Sequence, residues 1–168
     1  MAEFKTERLF LRPMNTSDAA FLVAVMNTPK WLKFIGDRNV NSEEDGVKYI
    51  TDRVLSQYER LGFSNFTVIR KSDGAKIGVC GLYDRSGLEG IDIGFAFLPE
   101  YEGQGYGFEA ASVVKDAAIN LFKLEKLVAI TSKENVASQR LLEKIGLKQQ
   151  GAIVLPGETE EVLYYELS

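Results

Sequence analysis

Gly103, Gly105 and Gly107 alternate within Glu102-Gly103-Gln104-Gly105-Tyr106-Gly107, between an apolar run and a helix-like stretch, and that spacing suits the binding of an anion. Glycine reaches φ > 0 without a Cβ penalty and lets a ligand approach the main chain. The first N–H groups of the helix that follows have no intrahelical acceptor, and the helix dipole favours negative charge there. Successive amides turned inward in this way form an anion-binding nest. The expected arrangement is a diphosphate cradle made by Gly103, Gln104, Gly105, Tyr106 and Gly107. A P-loop needs Gly-Lys-Ser/Thr after the glycines, and Gly105-Tyr106-Gly107-Phe108 does not supply it. A Rossmann site needs its third glycine one residue later and an acid at the end of the next strand, where this chain has Thr131-Ser132. A tight strand-to-helix turn that binds nothing stays open, although one glycine would suffice for it.

The residue types that are missing narrow the chemistry further. The chain has no histidine, so Ser-His-Asp and Cys-His systems and the usual zinc-ligand spacings cannot be built, and no metal is expected. Any general base must be a carboxylate, a tyrosine, a terminus or a relayed water. Cys80 is the one cysteine and sits in an apolar run, which excludes an internal disulfide and favours a buried structural thiol. Lys and Arg number 20 against 24 Asp and Glu, a net charge of -4 with no basic stripe, so the footprint of a nucleic-acid binder is missing. No segment approaches membrane-spanning length and no apolar signal follows Met1-Ala2-Glu3-Phe4-Lys5, which points to a cytoplasmic protein.

These residues need a scaffold, and 168 residues at 45% hydrophobic content allow one domain, 1–168, with a full core. Arg8-Leu9-Phe10-Leu11-Arg12 alternates as a strand and stops at Pro13. Thr16-Ser17-Asp18 opens a helix over Ala19 to Met26, which Pro29 ends. Ser42-Glu43-Glu44-Asp45 opens another, closed by Gly62. Strands at 66–70 and 76–82 flank Asp73-Gly74, a strong hairpin signal, and a third runs from about Glu89 to Leu98. After the glycine helix, Leu127-Val128-Ala129-Ile130 is a short buried strand; as the end of a strand–helix–strand unit it should lie parallel to the strand ending at Leu98. A helix over Asn135 to Ile145 stops at Gly146, and two strands, 147–154 and 162–167, flank Pro156-Gly157. The fold expected is α/β (α+β), with a mixed, mostly antiparallel sheet of about seven strands flanked by helices.

Two segments together resemble the acetyl-CoA-binding core of the GNAT N-acetyltransferase superfamily. The family loop Arg/Gln-x-x-Gly-x-Gly/Ala is matched from Glu102 to Gly107 except at its first place, and the later Asn-x-x-Ala/Ser with its Glu-Lys-x-Gly helix end is matched by Asn135, Ser138, Glu143, Lys144 and Gly146. The opening Thr6-Glu7-Arg8-Leu9-Phe10-Leu11-Arg12-Pro13, with Asp18-Ala19, looks like the Rim-type branch that acetylates the N-termini of ribosomal proteins and related amines. Two departures stand out. Glu102 replaces the Arg or Gln of the loop, so it should face solvent, away from a diphosphate. Leu142 occupies the place where many relatives carry a tyrosine that protonates the departing thiolate.

The resemblance implies transfer of an acetyl group from acetyl-CoA, as acyl-donor co-substrate, to a primary amine: a protein N-terminus or a small amine. It implies that the pantetheine arm wedges beside the strand ending at Leu98, which makes the backbones of Phe95, Ala96 and Phe97 candidates for arm and acetyl contacts, one N–H serving the oxyanion. Ser138 is the candidate donor to the sulfur; a polar residue in a first helical turn would read the same way. A thiol of pKa about 8.5 departs tolerably without such help. Asn135 is a candidate ligand of the arm and equally a good helix N-cap. Asp92, a carboxylate on the strand entering the site, is the candidate base, against a plain solvent-facing strand residue. Trp31 and Phe34 are candidate walls of the acceptor groove, and Glu158, Glu160 and Glu161 would attract a cationic acceptor. Glu109 most simply complements the helix dipole. A non-catalytic CoA-binding module and a nucleotide-only binder remain alternatives, and oligomeric state is not legible.

Overall fold

A computed structural model describes residues 1–167 of the chain. Its frame is one eight-stranded sheet in the order β1-β2-β3-β4-β5-β6-β8-β7, with strands β1 (Phe4–Lys5), β2 (Leu9–Pro13), β3 (Asn65–Arg70), β4 (Lys76–Tyr83), β5 (Ile91–Phe97), β6 (Leu127–Thr131), β7 (Leu147–Val154) and β8 (Glu161–Leu167). Every neighbouring pair is antiparallel except β5–β6. The mixed sheet expected from the sequence is therefore present, with one strand more. The extra strand is β1, whose two residues are too few to show alternation. The Asp73-Gly74 hairpin joins β3 to β4, and β4 and β5 complete the meander.

Helices cover both faces. α1 (Ala19–Met26), α2 (Pro29–Phe34), α3 (Glu43–Tyr49) and α4 (Ser56–Leu61) precede β3, with α3 and α4 joined through a π-helical segment over Ile50–Leu55. α5 (Tyr106–Asn120) and α6 (Val136–Lys144) flank β6 in the chain. One buried cluster, including Phe66, Cys80, Leu82, Ile93, Ala110, Val114 and Leu142, packs α5 and α6 on the sheet. A second, including Met14, Leu22, Met26, Ile50, Val54 and Tyr58, packs α1 and the 43–61 helix on the other face. Cys80 is fully buried, as a structural thiol would be.

Pro29 acts differently from the expectation. α1 already stops at Met26, and Pro29 starts α2 as its first residue, with the Thr28 hydroxyl accepting from Trp31 N. Proline lacks a backbone N–H, and the N–H of any residue at that position would have no partner within the helix, so proline fits there without loss.

Candidate active site

The short parallel pairing of β5 with β6 opens the site. Only Ile91–Leu127 and Asp92–Val128 are in register, and beyond them the strands diverge. Ile91 N donates to Lys126 O on the β6 side, while Leu98 N donates to Ile77 O on the β4 side. Backbone groups alternate direction along a strand, so Phe95 and Phe97 aim their N–H and C=O groups into the gap left by β6. Ala96 turns its own groups to Val79, its partner on β4. The expectation of backbone contacts at all three residues thus needs correction. Ala96 offers the site its methyl group, and the open main-chain edge belongs to Phe95 and Phe97.

A groove of about 220 Å³ runs from this gap to the glycine loop. That is below the roughly 300–1,000 Å³ of pockets that enclose a whole ligand of drug size, so it suits a thin arm more than an entire nucleotide cofactor. Gly103, Gly105, Tyr106 and Gly107 line one end, with Tyr101 and Glu102 beside them. Gly103 and Gly105 have φ of 73° and 84°, which non-glycine residues rarely adopt, and Gly105 is the N-cap of the 15-residue α5. Among the described residues, no backbone or side-chain acceptor takes the N–H groups of residues 103 to 108; the next amide, Glu109 N, bonds to Gly105 O. Six successive free donors at a helix start are the kind of groups that an anion-binding nest presents. Gln104 departs from the expectation in part. It does not line the groove, and its side chain donates to Glu100 O at 3.1 Å, leaving only its peptide groups to the loop.

α6 supplies a third wall through Asn135, Ala137, Ser138 and Leu141. Asn135 is its N-cap and accepts from Ser138 N at 3.3 Å, so the capping role holds and the residue still borders the groove. Ser138 lies half-buried in the first turn, facing the groove. Leu142 is 1% exposed and packs in the core. On this helix, positions 138 and 141 face the groove and 142 faces inward, so no proton donor stands at the place where many members of the resembled family carry a tyrosine.

Asp92 is not a solvent-facing strand residue. It is 2% exposed at the foot of the divergence, and Arg85 Nε donates to its Oδ2 at 2.9 Å. Burial raises its pKa to about 6, against the lowering effect of the Arg85 charge and hydrogen bond and of the Ile130 N–H. It does not line the groove. It lies three residue steps before Phe95, about 10 Å at 3.3 Å per residue. By alternation its side chain shares the α1–α4 face with Ala96, opposite Phe95 and Phe97.

The fourth wall is α2, through Thr28, Lys30, Trp31, Phe34 and Ile35. Trp31 Nε1 is the one buried side-chain nitrogen or oxygen without a partner among the described residues. Glu102 does not point clear of the site; it lines the groove, and its carboxylate is paired with the Lys30 ammonium. Lys30, Arg85 and Leu141 went unnoticed in the sequence because nothing local connects them to the loop. Glu109 does more than face the helix dipole, since it accepts from Thr6 Oγ1, Arg8 N and Arg8 Nε. The exposed Glu158 and Glu160 lie on the β7–β8 connection, and Glu161 opens β8 with Lys133 3.7 Å away.

Comparison with known proteins gives a consistent picture. A family model described as the acetyltransferase (GNAT) domain matches residues 8–148. An uncharacterised N-acetyltransferase of Bacillus subtilis, YnaD, is 27% identical over 146 residues, 87% of this chain and 82% of its own length. A spermidine N(1)-acetyltransferase of Escherichia coli is 23% identical over 86% of this chain and 75% of its own. Among solved structures, a GNAT-family acetyltransferase from Bacillus anthracis superposes with a TM-score of 0.80 at 26% identity, covering 99% of this chain and 98% of that one. A ribosomal L7/L12 alpha-N-protein acetyltransferase in complex with coenzyme A has the same fold, with a TM-score of 0.82 at 18% identity over 98% and 97% of the two chains.

Proposed function

Since the chain belongs to the GNAT acetyltransferase family, we propose that it moves an acetyl group from acetyl-CoA to a primary amine by direct attack in a ternary complex, and that this amine is a protein N-terminus. The observation that carries the reading is the run of free amides from residue 103 to 108, of which Gly103, Gly105, Tyr106 and Gly107 line the same groove as Phe95 and Phe97 at the open edge of β5. These groups fit the cofactor's diphosphate and its amide-bearing arm without any metal or cationic side chain in the loop.

When bound, acetyl-CoA supplies the acetyl group as a thioester. The chain's own groups then do the rest. The loop amides hold the diphosphate, and Asn135 and the Phe95 and Phe97 main chain hold the arm by strand-like pairing. An N–H at the open β5 edge stabilises charge developing on the carbonyl oxygen. The hydroxyl of Ser138 donates to the departing sulfur. Asp92, ionised above pH 6, receives the amine proton through a relay of waters, since its place on the strand is about 10 Å from Phe95. Trp31 and Phe34 bound the acceptor. Holding both substrates in one groove supplies much of the rate.

The choice of a protein N-terminus rests on the Thr6 to Pro13 opening, which resembles the branch acting on ribosomal proteins. A small cationic amine is the second reading, favoured by the exposed Glu158 and Glu160 and the neighbouring Glu161. The test is release of free thiol from acetyl-CoA across N-terminal peptides, polyamines and amino acids, beside CoA titration. Turnover on peptides alone supports the first reading, and turnover on polyamines alone replaces it with the second. CoA binding with no turnover on any acceptor leaves a non-catalytic module, and tighter binding of ATP or NAD than of CoA sinks the assignment.

A further inference from the structure

Arg8 lies outside the groove and lines none of it, yet it grips the loop from behind. Its Nη1 donates to the Gln104 carbonyl at 2.9 Å. Its Nε donates to Glu109 Oε1 at 2.8 Å, and its guanidinium carbon stands 4.3 Å from the centre of the Tyr106 ring. Glu109 is in turn fixed by Thr6 Oγ1 and by Arg8 N. One planar group is thus held on three sides by the loop and the first turn of α5, at a position where a Cβ on Gly105 would come within 3.2 Å of its Nη2.

The consequence follows from peptide geometry. A trans peptide is planar, and its C=O and N–H point in opposite directions. Holding the Gln104 carbonyl out toward Arg8 therefore aims the N–H of Gly105 away from Arg8, into the groove that Gly105 lines. The Arg8 charge is matched by Glu109, so its attraction for a phosphate is small and its geometry is what remains. We propose that Arg8 is a positioning residue, which fixes the 104–105 peptide so that the cradle is preorganised for a diphosphate before the cofactor arrives. The proposal deepens the CoA-dependent reading above and rests on it.

A lysine keeps the charge but has no rigid plane with which to bond Glu109 and the Gln104 carbonyl at fixed angles. That difference separates positioning from simple attraction. The protein's single tryptophan, Trp31, borders the groove, so its fluorescence is the signal chosen to follow binding. Wild type, Arg8→Lys, Arg8→Ala and Glu109→Gln are titrated with CoA and with pantetheine, which carries the arm and no phosphate, and their melting temperatures are recorded. Arg8→Lys and Arg8→Ala should weaken CoA binding about tenfold or more, the scale of one well-placed hydrogen bond, while pantetheine affinity stays within about twofold. Glu109→Gln should show the same selectivity to a smaller degree, and with Arg8→Lys it carries the test if Arg8→Ala does not fold. In turnover, KM for acetyl-CoA should rise at unchanged kcat. Wild-type CoA affinity in Arg8→Lys overturns the proposal, and so does a parallel loss of CoA and pantetheine binding. Wild type that binds no CoA removes the functional reading and this proposal together; the other two outcomes remove only this one.

Discussion

A carboxylate buried against one guanidinium sets what Asp92 can do near neutral pH. An unfolded aspartate titrates near 3.9, and burial moves the folded group to about 6, with Arg85 opposing the rise. Between those values the folded protein holds the extra proton, so stability falls as pH rises through the window and is lowest above pH 6. Asp92 is thus a charge that weakens the fold under the conditions in which it would accept a proton. Asp92→Asn is expected to leave the melting temperature at pH 7.5 unchanged or higher, since Arg85 keeps 32% exposure and can turn to water. It should lower kcat by about 10²-fold or more, the usual span for a lost general base, and abolish the rise in rate near pH 6. A retained limb at pH 6 would remove Asp92 from the base role. Ser138→Ala should lower kcat more than it weakens CoA binding, and an unaltered rate would clear Ser138 of the acid role. The sequence singled out both residues, but their burial, and the turn of Leu142 into the core, depend on neighbours that no local pattern reveals.

At the scale of elements, β4 and β5 meet with almost no slack. Gly78 faces Phe97, and a Cβ there would stand 2.4 Å from Phe97 Cδ2 and 2.8 Å from the Ala96 carbonyl. The ring of Phe97, a wall of the groove, occupies the space a side chain at 78 would need. Gly78→Ala should therefore cost about 1–3 kcal/mol of stability, the range for overpacking, and weaken CoA binding as the ring moves. Denaturant melts and the Trp31 titration measure both, and wild-type values in the two would show that the ring yields freely. The alternation of β5 and the Asp-Gly hairpin were readable in the sequence because each signal is contained in a few adjacent residues. α2 was not, since its six residues are too short for a helical period and its proline reads as a stop.

Across the whole molecule, Asp18 ties the first turn to three strands. Its carboxylate is buried and takes both Arg12 nitrogens at 2.7 and 2.8 Å, Lys76 Nζ at 2.6 Å, and Thr67 Oγ1 and Asn15 N at 3.0 Å each. Burial alone would raise its pKa, but Arg12, then Lys76, Asn15 and Thr67 outweigh that and hold it well below the usual carboxylate range. A depressed folded pKa means that this stabilisation is complete above the unfolded value near 4 and is lost as pH falls below it. Asp18→Asn should cost about 3–5 kcal/mol at pH 7, as for a buried pair deprived of one partner, and its urea midpoint should vary less than that of wild type below pH 4. A midpoint matching wild type at pH 7 would show that Arg12 and Lys76 find other partners.

The sequence by itself determined most of the elements and the loop: alternation placed seven of the eight strands, glycine spacing marked the strand-to-helix loop as a candidate anion nest, and the missing histidine ruled out whole classes of mechanism. All of these are properties of neighbouring residues along the chain. Tertiary structure alone decided that β5 and β6 part after two residue pairs, that Lys30 neutralises Glu102, and that Arg8 reaches Gln104 across 96 positions. Such contacts join residues whose separation in sequence carries no signal, and they exist only once packing of the two cores has fixed the distances between them.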